Sequence, residues 1–301
     1  MEKKVILITG ASSGIGKETS KVLIKQGHIV YCTSRTVETM EELQKLGAKI
    51  MKLDVSIESD CKNCIDRVIS EQGKIDVLIN NAGFGCYGPI EELSLDDAKY
   101  EFEVNVFGLA RLTQLALPHM RKQKQGRIIN ISSIGGKIHT PMAGWYHASK
   151  FAVEGLTDCL RMETKQFGID VVLIEPVFVK TGFFGVAIES ANESTDDKSP
   201  YEAMVVANNN TLKRASEGKG LFAALPVYKV ANVIAKAVNK KRPRTRYMVG
   251  KMAIVSIISK RFLSDRMYDR IMLKLMANTK KRGSVTVLWH FPLFKVKYKI
   301  V

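Results

Sequence analysis

Tyr146 and Lys150 stand four residues apart in the run Tyr146-His147-Ala148-Ser149-Lys150. On a helix that spacing sets both side chains on one face, one above the other. An ammonium held beside a phenol favours the phenolate and draws its pKa of about 10 toward the neutral range, where a proton exchanges with a substrate. Ser133, just past the apolar run that ends in Ile131-Ser132, offers a neutral hydroxyl to the same substrate oxygen. A tyrosine and a lysine at helical spacing also occur as a plain surface pair, so the elements that position them must decide.

Those elements alternate between two periods. The apolar run 5–9 leads into Gly10, Gly14 and Gly16 and then a helical stretch over 17–26. Strand, glycine loop and helix together let a pyrophosphate approach backbone N–H groups at the positive end of the helix. The glycine spacing departs from G-x-G-x-x-G, and a tight strand-to-helix turn also needs glycine. A second strand over 28–33 ends in Ser34-Arg35. An acid at that place would hold a ribose 2′-hydroxyl, whereas an arginine pairs with a 2′-phosphate, so Arg35 favours NADP(H) over NAD(H).

Helical patterns over 38–46 and 58–72 flank a strand over 49–53 that ends in Asp54-Val55. A fourth strand, 77–79, runs into Asn80-Asn81-Ala82-Gly83, small residues that leave room for a flat cofactor or form an ordinary turn. A long helical pattern over 95–124 encloses Asn105 in the apolar stretch VNVFGLARL. A buried amide there holds backbone, holds a water or does chemistry, because an unpaired one is costly. Strands follow at 127–131, 169–174 and 247–249, with helices at 201–217 and 227–239. The segment 182–200 breaks the alternation and is expected to be a mobile flap. The pattern predicts an α/β fold, a Rossmann-like doubly wound parallel sheet of about seven strands over residues 1–250, with a helical C-terminal extension over 251–301.

A length of 301 residues at 46% hydrophobic content allows an ordinary globular core. Met1-Glu2-Lys3-Lys4 runs straight into a strand, which predicts no signal peptide, and the apolar run 252–258 is far short of the roughly 20 residues a bilayer span needs. A cytoplasmic protein is expected. Five scattered cysteines, Cys32, Cys61, Cys64, Cys86 and Cys159, fit free thiols. Cys61 and Cys64 have the spacing of half a zinc site, but without a second pair no metal is predicted. The net charge of +16 is concentrated at one end: from Lys240 onward there are seventeen Lys or Arg against Asp265 and Asp269.

Taken together, Thr9-Gly10-x-x-x-Gly14-Ile15-Gly16, Asp54, Asn80-Asn81-Ala82-Gly83, Asn105, Ser133, Tyr146-x-x-x-Lys150 and the segment 176–181 resemble the short-chain dehydrogenase/reductase family over about residues 4–250. The resemblance implies a catalytic tetrad of Asn105, Ser133, Tyr146 and Lys150. It implies that Gly10, Ser12, Gly14, Ile15 and Gly16 hold the pyrophosphate, Arg35 the 2′-phosphate, Asp54 and Val55 the adenine, and Asn81, Ala82 and Gly83 the adenosine side. Lys150 would also touch the nicotinamide ribose, with Tyr146 beside it, and Val179 and Thr181 the carboxamide end. Val177 stands where the family usually has glycine, so the backbone there is expected to stay extended. The implied reaction is hydride transfer from NADPH to a carbonyl carbon while Tyr146 protonates the oxygen, or the reverse.

The stretch 242–250 resembles more loosely the branch that includes 17β-hydroxysteroid and retinol dehydrogenases, which implies a steroid, retinoid or other lipid-like ketone or aldehyde. Tyr87, Met142, Trp145, Phe183, Phe184 and Val186 are expected to line an apolar substrate pocket or else to be core. Over 253–277, Ile254, Ile257, Ile258, Phe262, Met267, Ile271 and Leu275 alternate with basic residues. This is a lid on the substrate cavity or a peripheral docking element for an anionic membrane, and 285–301, with Trp289 and Phe294, fits the second. No nucleic-acid module accompanies the charge. A homo-oligomer, dimer or tetramer, is expected from helices beginning near Leu95 and Tyr146, which resemble those that pair subunits in this family. The alternatives are a 3-oxoacyl-carrier-protein reductase, whose basic tail docks an acidic carrier, and a non-catalytic NADP-binding sensor or scaffold.

Overall fold

The run VILIT has no polar interruption before its last residue, and all five of its residues are buried as strand β1 (Val5–Thr9). Burial on both faces requires layers on both sides, and its side chains divide accordingly. Ile6 and Ile8 join one core and Val5 and Leu7 the other. The computed structural model describes residues 2–196, 198–219 and 223–277. Among them, β1 is joined by β2 (Ile29–Ser34), β3 (Lys49–Lys52), β4 (Val77–Asn80), β5 (Gly126–Ile131), β6 (Ile169–Pro176) and β7 (Arg246–Val249). They form one parallel sheet in the order β3-β2-β1-β4-β5-β6-β7. The order reverses between β1 and β4, and at that switch point the carboxyl ends of the strands diverge to leave a crevice.

Helices α1 (Gly14–Lys25), α2 (Glu41–Lys45), α3 (Glu58–Gln72), α4 (Leu95–Phe102), α5 (Leu109–Lys122), α6 (Gly144–Thr164), α7 (Phe183–Glu193), α8 (Glu202–Ser216) and α9 (Val227–Asn239) complete the body. One face of the sheet is covered by α1 and α9, through Leu23, Val230 and Ile234. The other is covered by α3 and α5, through Cys61, Cys64, Ile65 and Leu112. Cys61 and Cys64 are thus core thiols, which burial pushes up to about 11 and about 12. Beyond β7 come α10 (Lys251–Phe262) and α11 (Asp265–Ala277). The stretch 285–301 lies outside the described residues.

Two expectations are corrected. The segment 182–200 is largely helix rather than flap: Phe184, Ala187 and Ala191 form a buried stripe at helical spacing that packs α7 against α8. The apolar residues of 253–277 do not share one face. The break at Leu263-Ser264 turns the chain; Met272 faces inward from α11, while Val255, Ile258 and Phe262 point outward from α10. Among the described residues no helix is long and apolar enough to cross a membrane.

Arg246, on β7, ties this edge of the sheet to α6. Its guanidinium meets Glu175 at 2.6 Å and also pairs with Glu154 and Asp158. Glu154 and Glu175 are almost fully buried. Burial and the neighbouring Glu154 push the Glu175 carboxyl up to about 7 despite the arginine.

Candidate active site

The loop from β1 to α1 is shaped by positions that exclude a side chain. Gly10 and Gly14 have φ of +65° and +51°, a region that L residues rarely adopt. A Cβ on Gly16 would lie 2.3 Å from the Gly10 carbonyl oxygen. Asn81 fastens the end of β4 to this loop, its amide donating to the Thr9 and Gly10 carbonyls at 2.9 and 3.1 Å. The first turn of α1 carries no acid and Ser13 does not cap it, so its N–H groups remain available. A cradle of bare backbone at a positive helix end suits the pyrophosphate of a dinucleotide. Ser34, Arg35, Asp54 and Val55, at the ends of β2 and β3, line the same crevice. The Arg35 guanidinium donates to the Tyr100 hydroxyl at 3.2 Å.

From there the crevice continues as one cleft of about 1140 Å³ past Ser133, Tyr146 and Lys150 to the C-terminal helices. Ser133 begins the short 3-10 turn after β5, and its hydroxyl accepts from the Gly135 N–H at 3.0 Å. The ring of Tyr146 packs between Tyr87 and Phe183, with centroids 5.8 and 5.3 Å away. Lys150 is buried; its ammonium donates to the Ile131 carbonyl at 3.2 Å and sits 5.8 Å from the centre of the Tyr146 ring.

The expected depression of the Tyr146 pKa does not arise from the chain alone. Burial pushes the phenol up to about 12, opposed by the hydrogen bond to Ser133 and reinforced by the Glu101 charge. Burial acts on Lys150 in the opposite direction, lowering it to about 8 although Glu101 and Glu154 pull it back. Desolvation disfavours each charged form and is the largest cause of both shifts.

Asn105 lies in a π-helical turn, Glu103–Gly108, between α4 and α5, a local widening that recurs at functional sites. Its amide oxygen accepts from the Phe84 N–H at 3.0 Å, and its nitrogen donates to the Phe84 carbonyl at 2.8 Å and to Ser149 at 3.1 Å. Gly83 keeps a gap in front of it, since a Cβ there would sit 2.8 Å from Asn105 Oδ1 and 3.6 Å from Lys150 Nζ.

Two residues that sequence reasoning missed complete the support. Glu101 is fully buried and accepts from Asn105, Ser149 and the Cys86 N–H at 3.2, 3.2 and 3.0 Å. Burial pushes its carboxyl up to about 7. It stands one helical turn before Asn105, so the apolar setting of that asparagine was the available signal. His147 receives the Thr140 N–H at 3.0 Å on Nε2, which leaves Nδ1–H to donate to the Gly135 carbonyl at 2.9 Å. It thereby pins the connection between Ser133 and Tyr146.

Of the expected substrate residues, Tyr87, Phe183, Phe184 and Val186 line the cleft, as do Val179 and Thr181. Trp145 and Met142 do not. Trp145 faces away from the cleft to pack with Cys86 and Leu93 and edge-on to Phe102, because a residue next to Tyr146 on a helix points to another side. Met142 packs beneath Tyr87 with φ of +65°. Val177 has no positive φ, and the small residue lies across from it instead: a Cβ on Gly250 would meet Val177 Cγ2 at 2.5 Å. Met252, Met272, Leu275 and Met276, from α10 and α11, line the far wall. The Tyr268 hydroxyl fastens α11 there by donating to the His139 carbonyl at 3.1 Å.

A parallel sheet whose switch point opens on a glycine cradle, continuous with a buried tyrosine and lysine, defines a dinucleotide-dependent oxidoreductase. The family model for short chain dehydrogenase matches residues 4–191, and the chain belongs to that family. A 3-ketodihydrosphingosine reductase of Bacteroides thetaiotaomicron is 38% identical over 268 residues, covering 89% of this chain and 96% of that protein. An NADPH-dependent 3-dehydrocapnine reductase of Ornithobacterium rhinotracheale is 32% identical over 278 residues, 89% of this chain and 95% of that protein. A short chain dehydrogenase/reductase of Burkholderia phymatum, solved in complex with NAD, matches with a TM-score of 0.74 at 27% identity, over 86% of this chain and 93% of that one. The protein is an oxidoreductase that interconverts a ketone and an alcohol with a nicotinamide dinucleotide.

Proposed function

We propose that the protein is an NADPH-dependent reductase of a hydrophobic, lipid-like ketone, with Tyr146 as the proton donor. The observation that carries this reading is the single cleft that joins the cradle around Gly14 to Tyr146 and then to an apolar wall of methionines and leucines. When bound, the dinucleotide supplies the hydride and, once oxidised, a positive charge near the site. The chain does the rest. Ser133 donates a hydrogen bond to the carbonyl oxygen, and Tyr146, held protonated by burial, gives up its proton to the same atom. Lys150 steadies the phenolate that remains. Asn105 and Gly83 bound a gap beside the ammonium where a water would return the proton, while Glu101 and Ser149 hold Asn105 in place.

Arg35 at the end of β2, with no acid beside it in the Ser34-Arg35-Thr36 turn, favours a 2′-phosphate and so NADPH. The relatives named for 3-ketodihydrosphingosine and 3-dehydrocapnine, the second NADPH-dependent, support a ketone as substrate. Oxidation of NADPH and NADH, side by side against long-chain, steroid and retinoid carbonyls, tests the reading. Turnover with NADPH that collapses in Tyr146→Phe supports it; consumption of neither cofactor overturns it.

The outward row Val255, Ile258 and Phe262 lies beside Arg261 and near Arg266, and supports peripheral docking of α10 and α11 on an anionic membrane, from which an apolar substrate enters directly. Sedimentation with vesicles containing phosphatidylserine should pellet the wild type and leave Ile258→Glu in solution; equal pelleting removes the docking. Exposed Phe107 in the π-helical turn before α5, with Phe151, Leu156 and Met162 on α6, supports subunit pairing there.

A further inference from the structure

The cleft beyond Tyr146 holds a group of polar residues that hydride transfer does not use. Asn208, Thr211 and Arg214 follow one another at intervals of three along α8, and all three line the cleft. Their surroundings are apolar, with Leu212 on the same helix and Met272, Leu275 and Met276 on α11. Asn208 is 6% exposed, and its amide nitrogen has no hydrogen-bond partner among the described residues. A buried donor in that condition costs free energy unless an acceptor meets it. Arg214 is half-buried and makes no ion pair among the described residues. The nearby acid Glu217 is exposed and already pairs with Lys219 at 2.8 Å. Among the described residues that line the cleft, the one acid is Asp54, past β3 at the dinucleotide end.

We propose that Asn208, Thr211 and Arg214 form a head-group subsite, so that the ketone substrate joins an apolar chain to an anionic group such as a carboxylate or a sulfonate. This rests on the reductase reading above and adds the charge of the substrate to it. A guanidinium stays charged throughout the accessible pH range and matches two oxygens of an oxyanion at once. Apolar walls strengthen that attraction relative to water. The unpartnered amide nitrogen of Asn208 supplies a further donor to the same oxygens, while the Thr211 hydroxyl, which donates to the Ala207 carbonyl at 2.9 Å, adds a polar edge between the two. A cationic head would meet Arg214 without a carboxylate to offset it. The simpler alternative is that Arg214 lays only its aliphatic stem on the wall and extends its charge into water.

The test uses the full chain and four ketones sharing one alkyl chain, which carry a sulfonate, a carboxylate, no head group or a trimethylammonium group. The neutral ketone, reduced with NADPH, reports on the reductase reading by itself. If it and the others are not turned over, that reading fails rather than the subsite. With turnover established, kcat/KM for both anionic ketones should exceed the neutral one about tenfold, mostly through KM and less at high salt. The trimethylammonium ketone should be the poorest. Arg214→Gln should bring the anionic-to-neutral ratio close to one, and Arg214→Glu should favour the cation. Lys213→Gln, on the exposed side of α8, should leave the ratio as it is, with melting temperatures checking that all variants fold. Equal kcat/KM for all head groups, a preference that survives Arg214→Gln, or the same loss in Lys213→Gln would overturn the subsite.

Discussion

The Glu101 carboxylate and the Asn105 amide meet at 3.2 Å inside the protein, one helical turn apart. Burial raises Glu101 to about 7, above the 4.5 of an ordinary glutamate. The folded chain therefore holds a proton that the unfolded chain releases. The associated stability is fully present below about pH 4.5 and is lost as pH rises through about 7. A shift of this size corresponds to a loss on the order of 3 kcal/mol. Glu175, raised similarly, adds a change of the same sign. Urea unfolding between about pH 5 and 7.5 should show this decline, and Glu101→Gln should flatten it. An unchanged slope in that variant would mean that Glu101 is ionised in the fold.

Tyr146→Phe keeps the ring between Tyr87 and Phe183 and removes only the hydroxyl. The fold should survive with little change in melting temperature. Ketone reduction should fall by about a hundredfold to ten-thousandfold, the usual contribution of a positioned acid. A variant retaining wild-type turnover would shift the proton to another donor.

Arg246→Met should destabilise the protein by about 3–5 kcal/mol, because it strands two buried carboxylates, Glu154 and Glu175, without their partner. The cost should shrink at low pH, where Glu175 accepts a proton. Denaturant unfolding measures both, and a loss below about 1 kcal/mol would show that Lys137, 2.8 Å from Glu154, suffices.

Gly16→Ala forces a Cβ to within 2.3 Å of the Gly10 oxygen and 2.6 Å of the Asn81 amide nitrogen. Neither backbone nor Asn81 can yield without disturbing the cradle. Dinucleotide affinity, followed by fluorescence titration, should drop by about tenfold or more, in line with the cost of overpacking. Wild-type affinity would mean that the pyrophosphate is held elsewhere.

The sheet was legible in the sequence because runs such as VILIT have one interpretation when strand and helix periods alternate. Tyr146 and Lys150 were legible because their spacing is local. What failed was set by tertiary packing. Trp145 follows Gly144 at the very start of α6, and nothing local says which side of that helix meets α4 and which meets the cleft. The stripe on α7 is made of Phe184, Ala187 and Ala191, and alanines leave a weak hydrophobic signal beside the polar residues around them. Glu101 resembled any surface glutamate on an acidic helix, since its burial depends on Cys86 and Ser149 from distant parts of the chain.

Tyr268 reaches back from α11 to the carbonyl of His139, in the same connection that leads from Ser133 to Tyr146. A chimera that took its residues beyond 250 from another member of the family would gain a different wall and would also release that connection. Selectivity and rate in this chain would then change together, so the C-terminal helices are not an interchangeable module, and engineering one property leaves the other exposed to drift.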